Sequence, residues 1–164
     1  SQSNDRNIIM AITKLIADSI TSGAVANTPA FALRKAANQS TVANTNTLIT
    51  WSNADIDTDS GFNNANDSWT VPAGKGGKYN LSLNLGFSYG TRFIAQIRKG
   101  GSDFLAVDGE DGSNNAAIGA NFVVDLTAGD VLTTYYYSVT STGVLRYQNN
   151  AGQYVTRFEG FKLL

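Results

Sequence analysis

The 164-residue chain contains no cysteine and no histidine. Without cysteine there is no thiol nucleophile, no thiolate metal ligand and no disulfide, and the redox compartment stays open. Without histidine the commonest general base and the commonest metal ligand are both missing. Charge is scarce too. Only 15% of residues are charged, and 12 basic against 13 acidic residues leave a net charge of −1. That excludes the basic footprint by which a domain holds nucleic acid or an anionic membrane. No apolar run approaches the roughly 20 residues needed to cross a bilayer. Ser1 to Ile9 lacks the basic and apolar regions of a signal peptide. Met10-Ala11-Ile12 reads as a natural start, which makes residues 1–9 an appended stretch.

What is present suffices for one packed domain. Hydrophobic residues make up 42% of the chain, and the length fits a single core. Asn, Ser, Thr and Gly dominate the polar positions, so the surface is neutral and hydrogen-bonding. A domain without disulfides needs another source of stability, and oligomerisation is one route.

The chain divides into a lead, residues 1–27, and a β domain, residues 28–164. In the lead, Ile8, Ile9, Ile12, Leu15, Ile16 and Ile20 recur at three-to-four-residue spacing, consistent with a short amphipathic helix capped by Asn4 or Asp5. Its β-branched content and the Thr21-Ser22-Gly23 exit equally fit an extended segment. Either form is too short to stand alone and must pack on the domain or on copies of itself. Beyond Pro29 the pattern is all-β. Strands are expected over 30–35, 47–52, 68–71, 78–88, 92–99, 103–107, 119–126, 131–140, 143–148 and 154–164. About ten strands at this spacing predict an antiparallel sandwich or jelly roll. The clearest is 78–88. Tyr79, Leu81, Leu83, Leu85 and Phe87 share one face, and Asn80, Ser82, Asn84, Gly86 and Ser88 the other. A period of two puts the first set in the core.

Few residues invite chemistry. Asp55, Asp57 and Asp59 alternate ahead of Gly61 and resemble the opening of a calcium loop. The glycine falls one position late, Asn66 stands where a bidentate Glu belongs, and the competing reading is a solvated acidic loop. Asp108, Glu110 and Asp111 form a second acidic turn, a candidate for a cation or polar ligand or a plain hairpin tip. In Tyr135-Tyr136-Tyr137 alternate rings must face opposite ways. If Tyr136 points outward it can stack on a sugar or anchor an interface. Gly74-Lys75-Gly76-Gly77-Lys78 lacks the spacing and the following helix of a phosphate loop. A Ser-type triad has no His, and no Gly-x-Ser-x-Gly elbow is present. A carboxylate pair for glycoside hydrolysis is a matter of three-dimensional separation. The expectation is a non-enzyme that requires no cofactor, with calcium the one candidate.

Trp69-Thr70-Val71-Pro72, Gly77-Lys78-Tyr79, Leu126-Thr127-Ala128-Gly129-Asp130 and Phe158-Glu159-Gly160-Phe161-Lys162-Leu163-Leu164 occur in that order. Together with Pro29-Ala30-Phe31 they resemble the globular C1q domain of the C1q/TNF-like superfamily. The resemblance covers roughly Thr28 to Leu164. It departs in the Gly/Lys insertion at 74–76, in the absence of Cys and in the lack of a collagen-like stalk. It implies an antiparallel jelly roll that trimerises and works by binding. In that family the far face of the Gly-x-Tyr strand lines the threefold axis. Carried over, this puts Asn80, Ser82, Asn84, Asn121, Val123, Asp125 and Phe158 at the trimer interface, with Phe158 as the apolar anchor. The stretch Met10 to Phe31 is similar to the start of C1q-like structural proteins of marine tailed phages. This similarity implies a trimeric fibre, knob or decoration protein, in the virion or otherwise extracellular. Its partners would be a host-surface glycan or protein receptor and, through the lead, other virion proteins. No nucleic acid and no membrane insertion are expected. The alternative is a bacterial secreted or surface C1q-like module that binds a ligand or calcium.

Overall fold

The computed structural model describes residues 29–89, 92–110, 116–139 and 143–163; the lead lies outside these. Thirteen strands run through the described residues: β1 Ala30–Arg34, β2 Gln39–Ser40, β3 Thr47–Leu48, β4 Asn53–Asp57, β5 Phe62–Asn63, β6 Ser68–Thr70, β7 Gly77–Phe87, β8 Arg92–Lys99, β9 Ser102–Glu110, β10 Ala116–Leu126, β11 Val131–Ser138, β12 Val144–Arg146 and β13 Arg157–Lys162. They form two antiparallel sheets. In the first, β7 pairs with β10 along one edge. Along its other edge it pairs with β13 and then, at Gly86 and Phe87, with β12. The order continues from β13 through β1 to β4, and from β12 to β2. The second sheet runs β5-β6-β11-β8-β9, with β3 also on β11.

The two sheets close over one core because each strand keeps its period of two. Tyr79, Leu81, Leu83, Leu85 and Phe87 are all at most 1% exposed. Phe93, Ala95 and Ile97 of β8 and Leu132, Thr134 and Tyr136 of β11 meet them from the other sheet. Rings fill the gap between the sheets. Phe31 stacks on Trp69 at 4.3 Å and meets Phe158 edge-on at 5.0 Å, and Phe87 stacks on Phe93 at 3.7 Å. Edge-to-face and offset pairs of this kind add to the area they bury.

The sequence punctuation has local causes. A Cβ on Gly160 would lie 2.6 Å from the Phe31 ring and 2.8 Å from Leu81. Only glycine there lets β13 pass under the aromatic cluster. Gly129 adopts φ 89° in a turn that Asp130 closes, its carboxylate accepting from Thr127 N–H at 2.8 Å. Gly129 N–H in turn donates to Val71 O at 2.9 Å, tying that turn to the Trp-x-Val-Pro segment. The Gly/Lys insertion presents the Lys75 carbonyl to the Tyr79 hydroxyl at 2.6 Å, and burial pushes the Tyr79 hydroxyl up to about 12.

Two departures from the expected strands matter for function. The segment expected to be an acidic loop carries an edge strand, β4, so Asp57 belongs to a ladder with β1 and Asp55 sits at the bulge in it. Asp108 and Glu110, expected at a hairpin tip, lie inside β9. Asp111 lies outside the described residues.

Candidate interface and ligand sites

The far face of β7 and its neighbours is the first candidate. Antiparallel register places Ser82 opposite Asn121, Asn80 opposite Val123 and Lys78 opposite Asp125 across β7 and β10. On the other side Asn80 faces Phe161 and Ser82 faces Glu159. Asn84 donates to the Ser82 hydroxyl at 3.0 Å. Lys78 and Asp125, an exposed pair at 3.2 Å, mark one end of the face. Six of the seven expected interface residues therefore share one outward surface. The seventh does not. Phe158 is 1% exposed and packs between Phe31 and Trp51 in the core. It sits an odd number of residues from Phe161, so the two rings point to opposite faces. Phe161, 41% exposed, is the aromatic that the outward face carries.

That face also holds a groove of about 490 Å³. Ala30, Ala32, Ile56, Asn80, Ser82 and Phe161 are among its walls. Ile56 is 50% exposed at its β4 margin, and Val123, at 65% exposure, protrudes from β10 beyond β7. The groove thus crosses the face from β4 to Asn121 of β10, with Val123 exposed two residues along that strand. Period two in β10 and β13 carried the signal for the exposed Val123 and Phe161, once Phe158 was assigned inward.

The three alternating aspartates do not converge. Asp55 pairs with Arg34 Nε at 2.5 Å. Asp57 accepts from Gly61 N–H at 2.9 Å and Phe62 N–H at 3.0 Å, closing its own turn. Asp59 accepts from the Thr58 hydroxyl at 2.8 Å and lies 3.3 Å from Lys75 Nζ. Among the described residues no group of three or more His, Cys, Asp or Glu is placed to hold a metal. Beside this turn opens a broad cleft of about 720 Å³, to which Asp59, Ser60, Phe62, Asn63 and Asn64 contribute.

Asp108 is held by the Arg92 guanidinium through two nitrogens, which keeps its carboxyl below the usual carboxylate range. Glu110 stands opposite Arg92 in the β8–β9 ladder. Tyr136 is not an outward ring. It is fully buried, donates to Ser40 O at 2.9 Å and meets Phe87 edge-on. Tyr135 and Tyr137 take the outward face instead, with the Arg98 guanidinium 4.2 Å above the Tyr135 ring.

One buried charge escaped the sequence reading. Lys35 is 1% exposed, and its ammonium donates to Gln39 Oε1, Thr50 O and Thr50 Oγ1 at 2.8–3.1 Å. Burial pulls it down to about 8 against a weaker attraction to Asp67. The signal was available: Lys35 continues the inward parity of Phe31 and Leu33.

No family model and no curated protein matches the chain. Solved structures do. The globular domain of zebrafish complement 1qA protein superposes with a TM-score of 0.61 at 13% identity, over 83% of this chain and 98% of that one. Murine APRIL superposes with a TM-score of 0.61 at 16% identity, over 82% and 98%. The two-sheet strand order and these neighbours together identify the fold as a C1q/TNF-like jelly roll.

Proposed function

We propose that this chain is a non-enzymatic binding domain that works as a homotrimer, with the outward face of the β7 sheet turned to the threefold axis. The observation that carries the reading is that face itself: an uncharged patch of Asn80, Ser82, Asn84 and Asn121, a groove whose walls join Ala30, Ala32 and Ile56 to the Arg157–Glu159 pair, and the exposed side chains Ile56, Val123 and Phe161. Uncharged amides cost far less to desolvate than ions, and three symmetry copies can pair them. A groove with an exposed apolar side chain beside it suits contact between copies, and a contact between unlike surfaces closes into a ring when the rotation allows.

The finer reading is a virion fibre, knob or decoration protein that contacts a glycan on the host surface. It is supported by the similarity of the lead to phage structural proteins. The polar cleft beside Asp59 supports it too, with the hydroxyl and amides of Ser60, Asn63 and Asn64 and the ring of Phe62. Carboxylate, amide and aromatic groups together are the set that binds sugar hydroxyls and ring faces. Purified protein applied to an array of surface polysaccharides tests this, with the Ser82→Arg variant beside it. Binding by the wild type and a loss of about 100-fold or more in the dissociated variant are expected, since three linked sites multiply avidity. Absence of binding to every polysaccharide overturns the glycan reading. Equal binding by both proteins overturns the role of the trimer.

A further inference from the structure

We propose that Val123 of each copy docks in the groove of the next, against Phe161, Ala30 and Ile56, so that the groove is a socket completed only by assembly. The proposal deepens the homotrimer reading and rests on it. Strand register carries the inference. Val123 stands opposite Asn80, Asn80 opposite Phe161, and Phe161 opposite Ala30, one row across β10, β7, β13 and β1. Asn121, Ser82, Glu159, Ala32 and Ile56 form the next row, which continues into β4. Rows two residues apart lie roughly 7 Å from each other along the strands. Every residue of the two rows except Val123 lines the groove. The groove therefore runs across the strands, and Val123 stands at the end of its first row.

Symmetry does the rest. A rotation about an axis that runs along the strands leaves every residue at its own height. The β10 end of a row in one copy thus comes round at the height of the same row in the next. A ring closed by unlike surfaces sets one side of each copy against a different part of its neighbour. Val123 is then carried to the level of Phe161 and Ala30 of the adjoining groove, with Ile56 one row away.

The side chains suit the contact. Val123 is 65% exposed, Ile56 50% and Phe161 41%, and association is driven by removing such apolar surface from water. Within one copy Val123 and Ile56 cannot cover each other. Their strands are separated by β7, β13 and β1, four spacings or roughly 19 Å. The ion pair in the groove wall, Arg157 with Glu159 at 2.5 Å, is neutral as a unit, so the groove presents no net charge to an incoming apolar group. The occupant is therefore a second copy of this chain, through one branched side chain on its β10 edge.

The chain has no cysteine, so introduced thiols report contacts without background. The full chain carrying Val123→Cys and Ile56→Cys is sized by light scattering, treated with a short bismaleimide, denatured and sized again. The two thiols of one chain are too far apart to be bridged, so every link joins two chains. A trimeric mass, with chains then linked in twos and threes, is expected. Val123→Cys with Ala30→Cys, joined by oxidation to a disulfide, repeats the test without removing a large side chain from the groove. Its thiols also lie too far apart within one chain to bond. Each single variant should stay unlinked. Linking by Val123→Cys alone overturns the proposal, since copies then meet valine to valine. A trimeric mass with neither pair linked also overturns it and leaves the homotrimer standing. A single-chain mass of the wild type overturns both.

Discussion

On the outward face of the β7 sheet Asn80, Ser82, Asn84, Gly119 and Asn121 form an uncharged patch on β7 and β10, with ion pairs at Lys78–Asp125 and Arg34–Asp55 and one, Arg157–Glu159, on the interior strand β13. On the outward face of the β8–β11 sheet charge lies across β8 and the edge strand β9. Arg92 pairs with Asp108 and Arg98 with Asp103 across β8 and β9, and Arg98 covers Tyr135. Exposed ion pairs contribute little stability each, about 0–1 kcal/mol, but they make a surface expensive to dry. The first face has, on β7 and β10, a patch of uncharged amides of the kind an interface can cover. The second has the build of a wall left in water. The two sheets close over the same core, so the difference lies in the outward residues of each.

Arginine substitutions on the two faces should give opposite outcomes. Ser82→Arg sets three long cationic side chains into the proposed interface, each beside a Glu159 already paired with Arg157, and should weaken the trimer through bulk and desolvation, releasing folded monomers in sedimentation. Gln96→Arg, on β8 of the second sheet, should leave both mass and melting temperature nearly unchanged. Dissociation by both variants would erase the distinction between the faces.

The same alternation sharpens the account at two phenylalanines. Phe158→Ala removes a core ring and should cost about 3–5 kcal/mol of folding stability. Phe161→Ala should leave the melting of the single domain nearly intact and weaken assembly. A larger folding loss from Phe161 than from Phe158 would reverse the assigned faces.

How much of this was legible in the sequence depended on period two. From Tyr79 to Phe87 the alternation is strict, and core and far face both follow from it. It failed where one strand was read without its parity. Phe158 was taken as an interface anchor because of its place in a terminal motif, and Tyr136 as outward because three tyrosines in a row leave the phase free. The aspartates misled for another reason. Three alternating carboxylates look the same in a loop that converges on a cation and in a β-strand whose side chains diverge. Only the partners Arg34, Gly61, Phe62 and Lys75, distant in sequence or supplied by backbone, decide between them. The groove is a product of five strands and has no local signature.

Lys35 contrasts the interior with both faces. Its ammonium is held at about 8 in the folded chain, below its ordinary 10.5. The folded state therefore carries the full cost of the buried charge below pH 8, and sheds it as pH rises toward 10.5. Wild-type stability should climb between pH 8 and 10 by up to roughly 3 kcal/mol, while Lys35→Gln stays flat in denaturant titrations. Above pH 10 the trend should turn down. Tyr79 resists ionisation until about 12 in the folded state, whereas unfolded tyrosines ionise from about 10.

The smallest expected effects concern the aspartates. Asp57→Ala leaves Gly61 and Phe62 N–H without their acceptor and should cost about 1–3 kcal/mol. Asp55→Ala, which breaks a half-exposed pair, should cost under about 1 kcal/mol. Millimolar calcium should shift the melting temperature of neither variant nor wild type. A calcium-dependent rise in the wild type that Asp57→Ala abolishes would mean the carboxylates rearrange around a cation.

The central claim is that the outward face of the β7 sheet is covered by copies of this chain. Multi-angle light scattering of the wild-type protein at micromolar concentration tests it most directly. The account predicts a mass three times that of the 17.4 kDa chain. A single-chain mass would contradict it.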